Sequence, residues 1–365
     1  MKICYIINSL DGGGGAFPVP HVIKVMRAAG HEVFVVSLME RDGRARPPLV
    51  AAGIPHIVIG GPKRRIFSTA LRLDGILRSE RPDLLWTSLS HATITGQVLG
   101  RLRGIPVVSW LHNAWLKPGN IRIMKRTEGL SRHWVADSDT VKNFGVTTLG
   151  IDPARFSVWP LFQADLTRPV ASMSSTSPFV IGSLGRLHPN KGYDVLIDAL
   201  AMLRQRSPDL ARSTVVRIGG EGPARAALVS KAADRGVTNL EFIGFTEPAG
   251  FLASLNCYVQ PSHHEGFCIA AHEAMQAGLP VIASPVGEMA QSIRASGGGD
   301  LVNYGDASQL ATQLEKYVRD PALAHRTGTR ARQWILQHFS TEAFAARGMA
   351  AMRAAGLPVA MNHPV

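Results

Sequence analysis

The chain of 365 residues is 45% hydrophobic and 18% charged, a balance that excludes an intrinsically disordered protein and is typical of a globular one. It is longer than one hydrophobic core usually supports, which predicts two domains. Most of the net charge of +12 lies in residues 1–163, where 21 Lys and Arg against 11 Asp and Glu give +10 and predict an anionic partner, although solvated surface arginines would give the same balance.

The N-terminal stretch MKICYIINSLDGGGG predicts a buried strand that ends in a glycine-rich loop. Its apolar part is too short for a signal peptide, and no apolar run in the chain approaches the roughly 18–20 residues that cross a bilayer. The three cysteines, Cys4, Cys257 and Cys268, lack metal-ligand spacing and are too few for a disulfide framework. We therefore expect a cytoplasmic protein.

Short apolar runs alternate with helical patterns through the first half of the chain, which predicts parallel strands joined by crossover helices. The predicted strands are KICYII, EVFVVSL, HIVI, DLLWTS and PVVSWLH, and the predicted helices lie near residues 20–29, 67–79 and 91–103. The pattern stops at residues 164–178, whose Ser, Thr and Pro content predicts a linker.

The same alternation restarts after the linker. The predicted strands are FVIGSL, TVVRIGG, NLEFIGF, CYVQPS and PVIASP, and the predicted helices lie near residues 191–205, 223–235 and 268–277. The chain is then predicted to be helical from Asp306 to about Ala355, with Ser340 or Thr341 capping the last helix. We expect an α/β protein with two Rossmann-like, doubly wound domains facing across a cleft, at residues 1–165 and 178–340, with a final helix and tail, residues 341–365, packing back on the first domain.

Three loops follow predicted strands, at the end of an open α/β sheet where ligands usually bind. The loop GSLGRLHPNKG places Arg186 and Lys191 just before a helix, an arrangement that suits a diphosphate. The loop GGEGP, which contains Gly220, follows the next strand and is expected to line the same pocket. The first-strand loop, with Gly13, Gly14 and Gly15, lets backbone amides approach an anion, but it is equally consistent with a plain flexible loop.

The stretch HHEGFCIAAHEAMQAGLP, residues 263–280, has two glutamates on either side of a predicted helix start. The amides of Gly266 through Ala270, including those of Phe267, Cys268 and Ile269, are predicted to form a helix N-terminus that seats a phosphate. Carboxylates there are explained if Glu265 and Glu273 accept hydrogen bonds from sugar hydroxyls. The segment therefore predicts a ligand that carries both phosphate and sugar.

Together these segments resemble the retaining glycosyltransferases of family 4, which have the GT-B fold. The resemblance covers nearly the whole chain, and its most specific feature is the pair of glutamates with seven residues between them. It implies that Arg186 and Lys191 neutralise the diphosphate of a nucleotide sugar, that Glu273 binds the ribose and that Glu265 faces the transferred sugar. It also implies that the amides of Gly266 and Phe267 bind sugar or phosphate, and that the backbone at Ile243 and Gly244 meets the base.

In the first half, the segment from Arg81 to Trp115 resembles the part of the family that leads to an active-site histidine, which His112 matches. The resemblance implies that His112 and Glu265 orient the sugar, with Arg186 and Lys191 completing the catalytic set. Two residues depart from the family's pattern: Cys268 stands where glycine is usual, and His272 stands where a larger aliphatic residue is usual.

We expect no metal and no cofactor beyond the donor substrate, which we expect to be UDP- or GDP-linked. Adjacent histidines such as His263 and His264 rarely chelate one ion together. The segment from Asp137 to Asp139 is interpreted as a helix cap rather than as a metal-binding Asp-x-Asp motif. Arg186 and Lys191 of the second domain would compensate the negative charge of the leaving diphosphate in place of a metal ion.

The predicted reaction is transfer of a hexose, with retention of configuration, to a saccharide acceptor held by the basic first domain. Residues 62–67 and 120–126 mix basic and apolar side chains, which suits binding to anionic lipid at the inner face of the cytoplasmic membrane. We therefore expect a polyprenyl-diphosphate-linked acceptor. A helix with a buried Ile and Met stripe is the alternative for residues 120–126.

Other functions stay open from the residues alone. A sugar-nucleotide epimerase can share this architecture, and a non-catalytic sugar-nucleotide-binding module is a further alternative. No nucleic-acid recognition motif accompanies the basic charge. We expect Glu273→Ala and Lys191→Ala each to abolish activity with nearly unchanged thermal unfolding.

Overall fold

The computed structural model describes residues 1–40, 42–60, 66–172 and 178–360. The chain divides into two compact units, one formed by Met1–Gln163 with Thr341–Val365 and the other by Ala164–Ser340. Across these described ranges, none of the helices combines the length and the apolar character needed to cross a membrane.

The first unit is built on a parallel sheet, flanked by helices, whose strand order in the described part of the chain is β3-β2-β1-β4-β5-β6-β7. Its strands are β1 (Lys2–Ser9), β2 (Glu32–Met39), β3 (His56–Val58), β4 (Leu84–Ser88), β5 (Val107–Leu111), β6 (His133–Ala136) and β7 (Phe156–Val158). Its helices up to that point are α1 (Val19–Ala28), α2 (Arg46–Ala51), α3 (Ile66–Glu80), α4 (Ser90–Arg103), α5 (Pro118–Thr127) and α6 (Asp139–Phe144).

The second unit repeats this plan with the strand order β10-β9-β8-β11-β12-β13, again parallel throughout its described residues. Its strands are β8 (Phe179–Leu184), β9 (Thr214–Gly219), β10 (Leu240–Gly244), β11 (Cys257–Gln260), β12 (Val281–Ala283) and β13 (Gly299–Leu301). Its helices are α7 (Tyr193–Arg206), α8 (Pro208–Arg212), α9 (Arg225–Asp234), α10 (Pro248–Ala253), α11 (Ile269–Gln276), α12 (Met289–Ser296), α13 (Ala307–Arg319) and α14 (Pro321–His338).

Both sheets reverse their strand order next to their first strand, between β1 and β4 and between β8 and β11. The central strands are buried on both faces, which explains why they read as continuous apolar runs rather than as alternating ones. The predicted pair of doubly wound α/β domains is confirmed. The reversal points matter for function because ligands of such sheets bind at the carboxyl ends of the strands there.

The chain returns to the first unit through α15 (Thr341–Ala354), which contributes Phe344 and Met352 to the core that contains Trp159. Gly348 lies against Trp159, where a Cβ atom would overlap the indole ring. The chain after Asp306 is helical as predicted, and it forms three helices, the last of which begins at Thr341. Asp320 ends α13 and caps α14 by accepting a hydrogen bond from the amide of Leu323 at 2.8 Å.

The predicted linker is only partly a linker. Its residues 173–177 lie outside the described part of the structure, but residues 164–172 belong to the second unit. Asp165 is tied to Gln276 on α11 by two hydrogen bonds, from its amide to the Gln276 side chain and from that side chain back to its carbonyl, both 3.0 Å. The start of this segment is therefore a structural part of the second unit.

Candidate active site

In the second unit, the loop after β8 packs directly on the loop after β9. The amide of Leu187 donates to the carbonyl of Glu221 at 2.9 Å. Gly220, at a φ of +140°, leaves room for the carbonyl of Gly185, which a Cβ atom there would overlap. The structure thus brings together the two glycine-containing loops that were predicted to line one pocket.

A short 3-10 turn, Pro189–Lys191, aims the side chain of Lys191 at the loop after β11. Gly192 follows at a φ of +66° and lies so close to the carbonyl of Pro261 that any side chain would collide with it. The result is an ion pair between Lys191 Nζ and Glu265 Oε1 at 2.6 Å. Burial alone would lower the pKa of Lys191, but the adjacent Glu265 carboxylate outweighs it and the pKa is raised, so the ammonium stays charged.

Glu265 is held in one orientation by neighbours from the end of β11. Its Oε1 atom accepts from Ser262 Oγ at 2.7 Å and from Gln260 Nε2 at 3.2 Å, besides Lys191. The hydroxyl of Tyr258 donates to Gln260 Oε1 at 2.7 Å and so fixes which end of that amide faces Glu265. We did not predict these supporting residues, although their period-two spacing after an apolar strand places them on one side of the chain.

Helix α11 begins one residue later than predicted, at Ile269, because Cys268 takes the left-handed conformation with a φ of +63°. That conformation costs a residue with a side chain about 1–2 kcal/mol, which explains why glycine is usual there in the family. The Cys268 side chain is buried, as are Gly266 and Phe267. Burial raises the pKa of its thiol, so the group is a neutral, inert neighbour of the helix start.

The second departure from the family pattern, His272, is a structural residue. Its Nδ1 lies 3.0 Å from the carbonyl of Cys268 and its Nε2 lies 2.8 Å from Ser292 Oγ. Its ring stacks on Phe267 with centroids 4.0 Å apart. Burial lowers the pKa of His272 to about 4, so the ring is neutral at physiological pH. Among the residues that the structure describes, no three His, Cys, Asp or Glu side chains converge as metal ligands would.

Glu273, predicted to bind ribose, forms an ion pair with Arg168, whose Nη1 lies 3.1 Å from Glu273 Oε1. Burial raises the pKa of this carboxyl group, Arg168 opposes the shift, and the nearby Glu247 adds to it. We had assigned Arg168 to the linker, so its approach to Glu273 was not predicted. The pairing means that the carboxylate is oriented before any ligand arrives.

Two further predicted residues lie at the periphery of these loops. Arg186 is exposed, and its guanidinium makes no ion pair with any residue in the described part of the chain. Ile243 is the residue before the end of the edge strand β10 and is 40% exposed. Both are more exposed than Lys191 and Glu273, whose side chains keep 23% and 17% exposure.

In the first unit, His112 follows β5 and is buried. Its Nδ1 lies 3.0 Å from each carboxylate oxygen of Asp137, and its Nε2 lies 2.7 Å from Ser88 Oγ at the end of β4. The predicted helix cap lies within the segment from Asp137 to Asp139, but Asp137 itself is not the capping residue. Ser138 caps α6 instead, because its hydroxyl accepts from the amide of Val141 at 3.2 Å and leaves the Asp137 carboxylate free to bind the histidine.

The glycine loop after β1 is ordered by acidic residues. The amide of Gly12 donates to Asp42 Oδ1 at 2.8 Å, and the amide of Asp42 donates to Asp11 Oδ1 at 3.1 Å. Gly13 and Gly14 are exposed, whereas Gly15 packs against Leu89, the residue after Ser88. The loop therefore lies at the same edge of the first sheet as the partner of His112.

Two family models match this chain in succession. The model described as Glycosyltransferase Family 4 matches residues 12–162, and the model described as Glycosyl transferases group 1 matches residues 169–334. Together they account for nearly the whole of both units. The chain belongs to glycosyltransferase family 4.

Individual relatives agree with this assignment. A glycogen synthase of Mycobacterium tuberculosis is 27% identical over an alignment of length 390 that covers 91% of this chain and 89% of the relative. A D-inositol 3-phosphate glycosyltransferase of Arthrobacter sp. is 28% identical over an alignment of length 363 that covers 86% of this chain and 84% of the relative. Among solved structures, Anabaena HepE in complex with UDP-glucose is 20% identical, with a TM-score of 0.83, and covers 97% of this chain and 100% of its own. The protein is thus a glycosyltransferase with the GT-B fold, and not the epimerase or binding module that the residues alone left open.

Proposed function

We propose that this family 4 enzyme transfers a hexose from a nucleoside diphosphate sugar to a saccharide acceptor, with retention of configuration and without a metal. We propose further that the acceptor is lipid-linked and serves cell-surface polysaccharide or glycolipid synthesis. The observation that carries the proposal is the Lys191–Glu265 pair at the strand-order reversal of the second sheet, with Glu273 on the helix that follows.

The donor site follows from the chemistry of these groups. Lys191 keeps its charge and Arg186 is exposed, so both suit the phosphates of a diphosphate. Glu273 is already oriented by Arg168 and suits the two hydroxyls of a ribose. A UDP-linked donor is favoured because the structurally similar HepE is recorded with UDP-glucose.

The catalytic roles are electrostatic. As the bond between sugar and phosphate breaks, negative charge grows on the leaving diphosphate and positive charge on the sugar ring. Lys191 stabilises the first charge, and the Glu265 carboxylate, held by Ser262 and Gln260, stabilises the second. Attack from the same face as the departing phosphate gives retention, and His112 is the catalytic residue that the first unit contributes.

The most direct test is a donor screen. UDP-, GDP- and ADP-glucose and GDP-mannose are added to the protein with and without EDTA, and thermal unfolding is followed. A donor at about 100 times its Kd should stabilise the folded protein by about 2.7 kcal/mol. Glu273→Ala should abolish that shift. Product configuration is then read from the anomeric proton by NMR with a saccharide acceptor. An inverted product, or activity lost with EDTA, contradicts the corresponding part of the proposal.

A membrane-facing surface is proposed from apolar side chains that are exposed on α3. Met124 of α5 is buried and Ile121 packs against the same core, so these two side chains face inward, whereas Ile123 is 44% exposed beside the exposed basic residues of residues 120–126. Residues 62–65 of the other predicted segment lie outside the described residues. Phe67 and Leu71 at the start of α3 are 88% and 73% exposed.

Flotation with anionic vesicles at low salt tests this surface. The double variant Phe67→Ser/Leu71→Ser should lose vesicle binding, whereas Leu102→Ser, at a residue 72% exposed on α4, should keep it. Wild-type protein that stays with the unbound fraction contradicts membrane association without touching the transferase assignment.

A further inference from the structure

The first unit contains a buried polar chain that runs from Ser88 through His112 to Asp137. The side chains of His112 and Asp137 are each 5% exposed, and Ser88 is fully buried. Trp110 adds a second donor to the carboxylate, with its Nε1 2.6 Å from Asp137 Oδ1, and its ring stacks on His112 with centroids 5.5 Å apart. The imidazole is thus held at both nitrogens and on one face.

These contacts determine where the proton of a neutral His112 resides. An ionised carboxylate can only accept hydrogen bonds, so Asp137 takes the proton on Nδ1 and the indole proton of Trp110. Nε2 is then unprotonated and accepts from the hydroxyl of Ser88. The carboxylate therefore selects one of the two tautomers.

Two other roles for this polar chain are disfavoured. A Ser-His-Asp connectivity is typical of hydrolases, but this protein belongs to a glycosyltransferase family, and transfer of a sugar involves no attack on a carbonyl. A capping role for Asp137 is unnecessary, since Ser138 already caps α6. A carboxylate buried for neither purpose calls for another explanation.

We propose that Asp137 is a positioning residue for His112. It holds the imidazole as the Nδ1–H tautomer and so presents Nε2 as a hydrogen-bond acceptor, which a substrate hydroxyl engages in place of Ser88. This inference rests on the proposed catalytic role of His112. It assigns to Asp137 an effect on turnover that passes entirely through the ring of His112.

The test compares two adjacent substitutions, Asp137→Asn and Ser138→Ala. An asparagine has nearly the same shape but can donate to Nδ1, which moves the ring proton to Nε2 and turns the acceptor into a donor. We expect kcat to fall about 10- to 100-fold with KM for the donor changed little, as is typical when a supporting hydrogen bond is lost. Ser138→Ala removes only the helix cap, so the unfolding temperature should fall while kcat stays near the wild-type value.

The tautomer is read directly by NMR of protein labelled with ¹⁵N-histidine, with the His112 signals assigned from His112→Asn. Wild-type protein should show an unprotonated Nε2, and Asp137→Asn should show a protonated one. An unchanged tautomer in Asp137→Asn, or a loss of stability with unchanged kcat, overturns the inference. A wild-type enzyme that transfers no sugar from any donor refutes the proposed function instead, while the tautomer measurement still decides the role of Asp137.

Discussion

The ion pair between Lys191 and Glu265 has a consequence for stability that corrects the expected unchanged melt of a Lys191 variant. The two side chains are only 23% and 11% exposed, and their charged atoms are 2.6 Å apart. Breaking a fully buried pair by removing one partner costs about 3–5 kcal/mol, because the other charge is left uncompensated. Since some exposure remains, we expect Lys191→Met to cost about 3 kcal/mol. For a unit of this size that lowers the unfolding temperature by about 6–12 °C.

A double-mutant cycle checks the cause of this loss. Glu265→Gln alone should lower the stability less than Lys191→Met does, because the Lys191 ammonium can turn toward water and the new glutamine side chain still accepts a hydrogen bond. The double variant Lys191→Met/Glu265→Gln should unfold at a higher temperature than Lys191→Met alone, since no unpaired carboxylate remains. Differential scanning calorimetry of all four proteins gives the measurement. The reasoning would be refuted if Lys191→Met unfolded within about 1 °C of wild type, or if the losses of stability in the two single variants simply added up to that of the double variant.

Three further predictions follow from buried or strained positions. Because burial raises the pKa of Glu273, the contribution of this residue to stability is present at low pH and is lost as the pH rises through that pKa. The glutamine of Glu273→Gln cannot ionise, so the unfolding temperature of this variant should rise relative to that of wild type as the pH is raised from 4.5 to 8. At Cys268, glycine relieves the strain of the left-handed backbone but loses a buried thiol, so Cys268→Gly should change the free energy of unfolding by less than about 1 kcal/mol. The β-branched variant Cys268→Val should be clearly destabilising. Equal unfolding temperatures for the two variants would contradict the strain argument. Gly348→Ala should lower the free energy of unfolding by about 1–3 kcal/mol, because the new Cβ atom overlaps Trp159. Gly75→Ala, in open space on α3, should be neutral or stabilising by up to about 1 kcal/mol. Comparing the unfolding temperatures of the two variants separates the effect of packing from that of helix propensity.

Errors in the sequence-based predictions occurred mostly where a segment ends. The chain after Asp306 is helical as predicted, but the break at Asp320-Pro321 was not predicted; an aspartate cap and a proline at the next residue favour a new helix start there. Helix α11 was expected to start at Cys268, and the left-handed backbone there was not foreseen, because a cysteine gives no local signal for a positive φ. Composition predicted a linker at residues 164–178, but Asp165 is held by Gln276 through contacts that no composition pattern records.

The sequence by itself determined the two parallel α/β sheets, the loops at their carboxyl edges, and the candidacy of His112, Lys191 and Glu265. The sheets and loops depend on local periodicity and short motifs, whereas the candidacy of His112 also depends on the resemblance of the 35-residue segment from Arg81 to Trp115 to the family. Only the tertiary structure decided which side chains meet: Asp137 with His112, 25 residues apart, and Arg168 with Glu273, 105 residues apart. Such pairs form because packed strands and loops bring distant segments together, and burial then makes an unpaired charge too costly to leave alone.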